Sequence, residues 1–288
     1  MTDELVREIS ALMPRARADL AELLALPSVA EPDRPPSAAC RQAAAWVASA
    51  FAEAGLRDVH LAETADGSFA VLGHRPPPPG APTVLLVCHY DVPPVPDAAS
   101  WSRPPFRLTE RRGGWYGRGA AGGKGAAVLH LTVLRALGEA LPVGVKFLAE
   151  GAREAGGGGL AEYVGRHADE LHAAVLLAAA PGPVRAGARA PGPPFLAAVA
   201  GGWGATAYDK AVQEVYGRPP GPVEPDGVLE AFGALTATYP GTEVLLTGLA
   251  RPSPGDPGPE EGVDPAELAR TARVAGLFLR QLAAARRR

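Results

Sequence analysis

One apolar stretch, and the polar residues that end it, constrain the fold of this chain more than any other feature. Residues 83–88 form an apolar run with several β-branched side chains, and the run stops at His89, Tyr90 and Asp91. Such a run is typical of a buried strand in a largely parallel sheet. Because ligand sites of open α/β sheets lie at the carboxyl ends of the strands, we expect these polar residues at a functional edge.

The spacing of His89 and Asp91 suggests what the two side chains do together. On an extended backbone, residues two apart project to the same side. A carboxylate in that position can fix the tautomer and the orientation of an imidazole. We therefore predict that Asp91 orients His89, as it would for a metal ligand or a catalytic base.

The rest of the chain alternates between helical and strand patterns. Alternation of this kind predicts an α/β fold of three layers, in which helices cover both faces of a largely parallel mixed sheet. Pro14 is expected to kink or break the first helix. The predicted helices are 3–24, 38–54, 125–137, 160–166, 205–216, 227–237 and 265–284, and the predicted strands are 59–63, 69–73, 83–89, 143–149, 173–178, 195–200 and 243–247.

Composition excludes several classes of function. The net charge of -3, with 20% charged residues, gives no basic field for nucleic acid. The two cysteines do not indicate a disulfide framework. No apolar run reaches the length of a membrane span, and the acidic amino terminus differs from a secretory signal. We expect a cytoplasmic protein that binds neither nucleic acid nor a membrane.

A longer pattern that begins at the same strand is shared with a known family. It consists of the His-x-Asp strand end, a tryptophan followed by Pro-Pro-Phe, and a Tyr-Gly-Arg-Gly turn leading to Lys-Gly. The matching residues are His89, Asp91, Trp101, Pro104, Pro105, Phe106, Tyr116, Gly117, Arg118, Gly119, Lys124 and Gly125. On these residues the chain resembles the catalytic domain of the zinc exopeptidases and amidohydrolases that include carboxypeptidase G, aminoacylase, carnosine dipeptidase and succinyl-diaminopimelate desuccinylase.

The resemblance implies a zinc-exopeptidase-like domain with a pair of zinc ions, but this chain departs from the pattern at the positions that matter. Gly122 stands where the family has its metal-bridging aspartate. In the segment that resembles Glu-Gly-x-Glu-Glu, Arg153 takes the place of the general base and Glu154 that of a metal ligand. Arginine stays protonated and has no acceptor, so Arg153 cannot take a proton from water.

Two more ligand positions are altered in the same way. Residues 178–180 are alanines where an aspartate is expected, and Pro257 replaces the final histidine. Only His89 and Glu154 keep a side chain that can bind metal, whereas zinc requires three or four protein donors. We expect no cofactor, or at most one weakly bound ion.

The smaller lid and dimerisation domain of the family has no counterpart in the pattern. Residues 181–242 supply only a strand and two helices that the catalytic domain itself requires. We therefore predict a single domain over residues 1–288, with the lid lost near residues 201–204. A dimer of the family type, which forms through the lid, is not expected.

The remaining polar residues each have a structural and a functional interpretation. His89, Asp91 and Arg153 are candidate catalytic residues, repurposed or vestigial. Glu150, Arg118 and Lys124 are candidates for the substrate cleft, and an ion pair of Glu150 and Glu154 with Arg153 is a simpler alternative. The other histidines follow no ligand pattern and are predicted at the surface or at helix flanks: His60, His74, His130, His167 and His172.

Three functions remain open. The first is a non-hydrolytic descendant of a zinc peptidase that binds a small molecule or a partner protein in the old cleft. The second is a metal-independent enzyme for acyl transfer, cyclisation or isomerisation, with His89 and Asp91 as base and Arg153 as an anion clamp. The third is a weak hydrolase of amides or dipeptides that uses a single zinc ion.

Overall fold

The protein is represented by a computed structural model that describes residues 2–95, 101, 103–179, 196–198, 202–220, 231–249 and 261–285. Ten strands occur in these ranges. They are β1 Arg57–Glu63, β2 Phe69–Arg75, β3 Thr83–His89, β4 Thr109–Arg111, β5 Gly114–Tyr116, β6 Gly144–Glu150, β7 Val175–Ala179, β8 Leu196–Ala198, β9 Glu243–Thr247 and β10 Gly262–Val263.

Eight α-helices accompany the strands in the same part of the chain. They are α1 Thr2–Leu24, α2 Ala38–Glu53, α3 Gly123–Leu137, α4 Gly158–Arg166, α5 Ala168–Leu171, α6 Trp203–Tyr216, α7 Gly233–Thr238 and α8 Pro265–Ala285. Both ends of α2 carry sequence signals. Ser37 caps the first turn, and Gly55, with a φ of +94°, lies just beyond the last turn.

The main sheet has seven strands in the order β1-β2-β6-β3-β7-β9-β8. Strands β6, β3, β7 and β9 are parallel. Strand β2 pairs antiparallel with β6 on one side and β8 pairs antiparallel with β9 on the other, and β1 pairs antiparallel with β2 at the outer edge. A separate antiparallel sheet of β10, β5 and β4 was not predicted. The carboxyl ends of the four parallel strands lie together on one side of the sheet, and His89 and Glu150 are the last residues of two of them.

Helices cover both faces of the main sheet, so the predicted three-layer α/β fold is confirmed. Val84, Leu86 and Cys88 of β3 point into the larger core, which α1, α2, α3, α6 and α8 complete. Leu85 and Val87 point the other way, into a smaller core beneath α4, α5 and α7. The alternation places Cys88 on the face opposite His89.

Two local predictions need correction. Helix α1 continues through Pro14, so the break that was one of the two expected outcomes does not occur. The proline lies on its exposed side, and Ile9 and Leu20 are buried on either side of it, so packing holds the helix together. His130 was predicted at the surface or at a helix flank but is buried within α3, where burial lowers its pKa to about 4. No helix in the described part of the chain is both long and apolar enough to span a membrane.

The start of β9 is tied to the start of α6 by a buried carboxylate. Glu243 is 8% exposed and accepts hydrogen bonds from the backbone N–H groups of Gly204 at 2.9 Å and Ala205 at 3.0 Å. Gly202 has no room for a side chain, because an added Cβ would lie 2.3 Å from this carboxyl group. The glycines near residue 202 therefore serve a close approach between helix and carboxylate.

We predict that Glu243→Ala lowers the free energy of unfolding by about 1–3 kcal/mol, because two buried N–H groups lose their acceptor. Glu243→Gln keeps one acceptor and is expected to cost less. Urea denaturation measures both. The control is Glu8→Ala at an exposed position of α1, expected to change stability by less than about 0.5 kcal/mol. Equal effects of Glu243→Ala and Glu8→Ala would contradict this role.

Candidate active site

The candidate site lies where β3 and β6 end side by side. His89 and Glu150 are directly paired in the parallel ladder between these strands, so their side chains lie on the same face of the sheet. Each residue is 6% exposed. Two ionisable side chains are therefore buried next to each other at the edge where α/β folds bind ligands.

Asp91 holds the His89 ring as predicted. The Nδ1 atom of His89 lies 3.1 Å from Oδ1 of Asp91, and Oδ2 of Asp91 accepts a hydrogen bond of 2.7 Å from the backbone N–H of Glu154. Burial alone would lower the pKa of His89, but the Asp91 carboxylate and the nearby Glu154 and Glu150 outweigh it, and the pKa is raised. The imidazole thus turns its Nε2 atom away from Asp91.

Burial raises the pKa of the Glu150 and Glu154 carboxyl groups, whereas its own effect on His89 is to lower the pKa. Burial, reinforced by the Asp91 carboxylate, raises the pKa of Glu150 to about 8. Burial also raises the pKa of Glu154, which is half-buried beside Arg153 in the turn after β6. The predicted ion pair does not satisfy Glu150, because its Oε1 atom is buried without a hydrogen-bond partner. The Nε2 atom of His89 is also buried without a hydrogen-bond partner.

The glycine-rich turn before α3 packs directly against His89. A Cβ atom on Gly123 would lie 2.1 Å from the carbonyl oxygen of His89 and 2.5 Å from its ring. A Cβ atom on Gly122 would lie 3.3 Å from Oε1 of Glu261. Gly123 therefore permits the close approach of α3 to the strand end, while Gly122 faces a carboxylate that belongs to another segment.

That carboxylate, Glu261, is a site residue whose role the sequence did not reveal. Its two oxygens accept hydrogen bonds from the backbone N–H groups of Gly119 at 2.7 Å and Ala121 at 3.1 Å. The guanidinium of Arg118 lies 3.8 Å from Glu261. Glu261 fixes the turn that carries Gly122. Its hydrogen-bond partners are backbone groups about 140 residues away in sequence, so a local sequence pattern does not indicate them.

Two cations predicted in the cleft contact other parts of the protein. The Nζ atom of Lys124 is buried and donates to the carbonyl oxygens of Leu23 at 3.0 Å and Leu26 at 2.6 Å. Burial lowers the pKa of Lys124 to about 8. Arg118 donates to the carbonyl of Pro94 at 3.0 Å and lies over the ring of Trp101. Lys124 is thus corrected from a ligand contact to an anchor between α3 and α1.

The donor set does not fit a zinc pair. Of the ligand positions that the resemblance implies, His89 and Glu154 retain a donor and Gly122 offers none, while Arg153 stands at the position of the general base. Strand β7 ends in alanine at Ala179, while Pro257 lies outside the described residues. The sequence has no histidine after His172 that could take the role of the histidine expected at the position of Pro257. Among the described residues, no three His, Cys, Asp or Glu side chains form a group that could hold a metal ion.

Comparisons with known proteins agree with the sequence pattern. Residues 85–281 match the family described as peptidase family M20/M25/M40. The chain is 43% identical over 118 residues to a cysteinylglycine-S-conjugate dipeptidase of Corynebacterium striatum, a match that covers 40% of this chain and 26% of that protein. It is 41% identical over 100 residues to the mouse Beta-Ala-His dipeptidase, covering 34% of this chain and 20% of the relative.

Solved structures show the same fold. Human carnosine dipeptidase 1 superposes with a TM-score of 0.78 at 14% identity, covering 98% of this chain and 99% of the other. The dipeptidase Dug1p of Saccharomyces cerevisiae gives a TM-score of 0.79 at 15% identity, with 99% of each chain covered. The curated relatives above are matched over about a quarter of their length or less.

We predict that Gly123→Ala lowers the free energy of unfolding by about 3 kcal/mol, because the added methyl group collides with the His89 backbone. Gly122→Ala is the matched control, since its backbone has a φ of -100° and its Cβ would meet one carboxylate oxygen at 3.3 Å. It is expected to cost less than about 1 kcal/mol. Denaturant unfolding measures both. Similar losses in the two variants would refute the close packing of α3 on His89.

Glu150 is expected to make stability depend on pH. Its pKa is raised in the folded state to about 8, so the folded protein holds this proton more tightly than the unfolded chain. Its contribution is complete below the unfolded pKa and is lost as pH rises toward 8. We predict that wild-type unfolding free energy falls more steeply than that of Glu150→Gln between about pH 5 and 8, by more than about 1 kcal/mol.

Glu150 also raises the pKa of His89, so the difference between the two pH profiles reports Glu150 together with its effect on His89. Urea denaturation at intervals of pH gives the measurement. Parallel profiles for wild type and Glu150→Gln would show that the buried carboxyl group does not hold its proton.

Proposed function

The chain belongs to peptidase family M20/M25/M40, and from this premise we propose that it has lost hydrolysis by a metal pair and acts by binding a small ligand at the old site. The observation that carries the proposal is the donor set. Gly122 and Arg153 occupy the positions of a bridging carboxylate and a general base, which leaves His89 and Glu154 in the places of two different metals.

Charge supports the same conclusion. Arg153 is half-buried in the turn between Ala152 and Ala155, beside Glu154. A guanidinium cannot act as a base, and it repels an incoming cation. It also lowers the pKa values of Glu150 and Glu154 from those that burial and the neighbouring carboxylates would set. The arginine therefore neutralises part of the negative charge that a metal ion would otherwise balance.

The retained parts of the site support binding. The Asp91 carboxylate still orients His89, and the buried Nε2 of His89 and Oε1 of Glu150 are both without partners. Leaving a buried polar atom unpaired costs about 1–3 kcal/mol, so such atoms mark a place where a ligand can supply the partner. A partner protein is the alternative occupant, and it would be revealed if small molecules fail to bind while the purified protein forms a stable complex.

A second candidate is a metal-independent enzyme that uses the same dyad. The hydrogen bond between Asp91 and His89 is the arrangement that general bases require, and Arg153 would bind an anionic group of the substrate. This candidate predicts that a bound ligand is converted to product without added metal. Mass spectrometry of the ligand after prolonged incubation separates conversion from simple binding.

We predict that the purified protein contains much less than one equivalent of zinc and hydrolyses neither a cysteinylglycine S-conjugate nor β-Ala-His in the presence of added zinc. Elemental analysis and a dipeptidase assay with and without a chelator measure this. The Corynebacterium striatum relative is the positive control for the S-conjugate, and the mouse Beta-Ala-His dipeptidase is the positive control for β-Ala-His. Two equivalents of retained metal, or turnover that a chelator abolishes, would contradict the proposal. One equivalent with weak turnover would favour the hydrolase that uses a single zinc ion.

A further inference from the structure

A cavity lies at the end of the main sheet opposite the candidate active site. It opens beside Thr83, the first residue of β3, and beside Ala173 and Ala174, which precede β7. Since β3 has seven residues, this cavity is about 20 Å from His89. Its volume is about 530 Å³, which lies within the range of small-molecule sites. A ligand in this cavity does not compete with a ligand at the old metal site.

Trp203 connects the cavity to a groove between α6 and α8. The groove holds about 380 Å³, and Trp203 and Ala285 border both spaces. Each helix contributes residues three or four positions apart, so the walls of the groove are two continuous stripes. The stripes are Trp203, Thr206, Ala207 and Lys210 on α6, and Gln281, Ala284 and Ala285 on α8. Because the alanines are small, the two helices leave an open channel here.

The ring of Trp203 is available to a ligand. One part of it packs against the larger core, which fixes the side chain, and the rest borders the two spaces. It is not stacked on any other aromatic ring in the described ranges. The cavity is also bordered by His172, whose ring is held against that of Tyr239 at 3.9 Å between centroids. Aromatic rings bind other rings in stacked or edge-to-face contacts, so this lining favours a planar aromatic group.

Lys210 adds a positive charge to the same groove. It is exposed and stands seven residues after Trp203, a rise of about 10 Å along α6. Side chains on a helix lean toward its amino terminus, so the ammonium group extends along the groove toward Trp203. No carboxylate of the described residues forms an ion pair with Lys210. Glu214, one turn further along, has Oε2 at 3.4 Å from Nε2 of Gln281. The groove therefore offers an unpaired cation within reach of an aromatic ring.

We propose that the cavity and the groove together bind a small aromatic carboxylate, with its ring against Trp203 and its carboxylate beside Lys210. An aliphatic acid cannot make the ring contact, and a neutral aromatic molecule cannot make the ion pair. The site is separate from the one at His89, so it goes beyond the proposed function and does not depend on it.

Three probes of similar size test the two contacts by protein-observed NMR titration of the full chain. They are 3-phenylpropionate, 3-cyclohexylpropionate, which lacks the aromatic ring, and 3-phenylpropionamide, which lacks the charge. We expect 3-phenylpropionate to bind at least about threefold more tightly than either analogue and to shift the indole N–H resonance of Trp203. An equal dissociation constant for either analogue would overturn the inference.

Variants assign the contacts to residues. We expect Trp203→Leu to weaken 3-phenylpropionate to the level of the cyclohexyl acid, and Lys210→Met to abolish its advantage over the amide. Trp46→Leu, in α2, is the matched control and is expected to leave all three dissociation constants unchanged. If Trp203→Leu does not fold, Lys210→Met at its exposed position decides.

A variant of the old site separates the two locations. We expect His89→Ala to bind 3-phenylpropionate as the wild type does. Weaker binding in His89→Ala, together with unchanged binding in Lys210→Met, would place the acid at the old site and refute the inference.

Discussion

The site depends on the carboxylate of Asp91. One of its oxygens orients the His89 ring at 3.1 Å, and the other accepts the backbone N–H of Glu154 at 2.7 Å. It therefore joins the end of β3 to the turn that follows β6. Because these strands are also paired in register, the positions of His89, Glu150 and Glu154 are all set relative to this buried group. Under the proposed function, this frame is the part of the family's metal site that the chain retains.

The replacements around the frame have a common physical consequence. A metal pair would bring positive charge to a cluster of carboxylates, and here that charge comes from protein groups and from bound protons. Arg153 lies in the turn beside Glu154. Burial raises the pKa of Glu150 to about 8, so Glu150 holds a proton near neutrality. Glu261 is satisfied by two backbone N–H groups of the glycine-rich turn. A buried charge that is balanced internally does not require a cation from solution.

Much of the fold was predictable from local patterns. Apolar runs that end in polar residues located the parallel strands, and periodicity with caps located the helices. Pro14 was expected to interrupt α1, but Ile9 and Leu20 are buried on either side of it and the helix is continuous. The small sheet of β4, β5 and β10 was missed because its strands are two or three residues long and carry no periodic signal.

The candidate site was predictable in part, for a different reason. His89 ends β3 and Asp91 follows it two residues later, so an extended backbone places both side chains on one side and their hydrogen bond could be foreseen. Lys124 and Glu261 could not be placed in the same way. Their partners are backbone groups far away in sequence, at Leu23 and Leu26 for the lysine and at Gly119 and Ala121 for the glutamate. The predicted loss of the lid near residues 201–204 stays a prediction, because residues 180–195 and 199–201 lie outside the described part of the chain.

The central claim is that this donor set cannot hold a zinc pair. Isothermal titration of the metal-free protein with zinc tests it most directly, because stoichiometry and affinity come from a single experiment. The account predicts no saturable binding of two ions and, at most, one weak site that disappears in His89→Ala. Two tight sites per chain would contradict it.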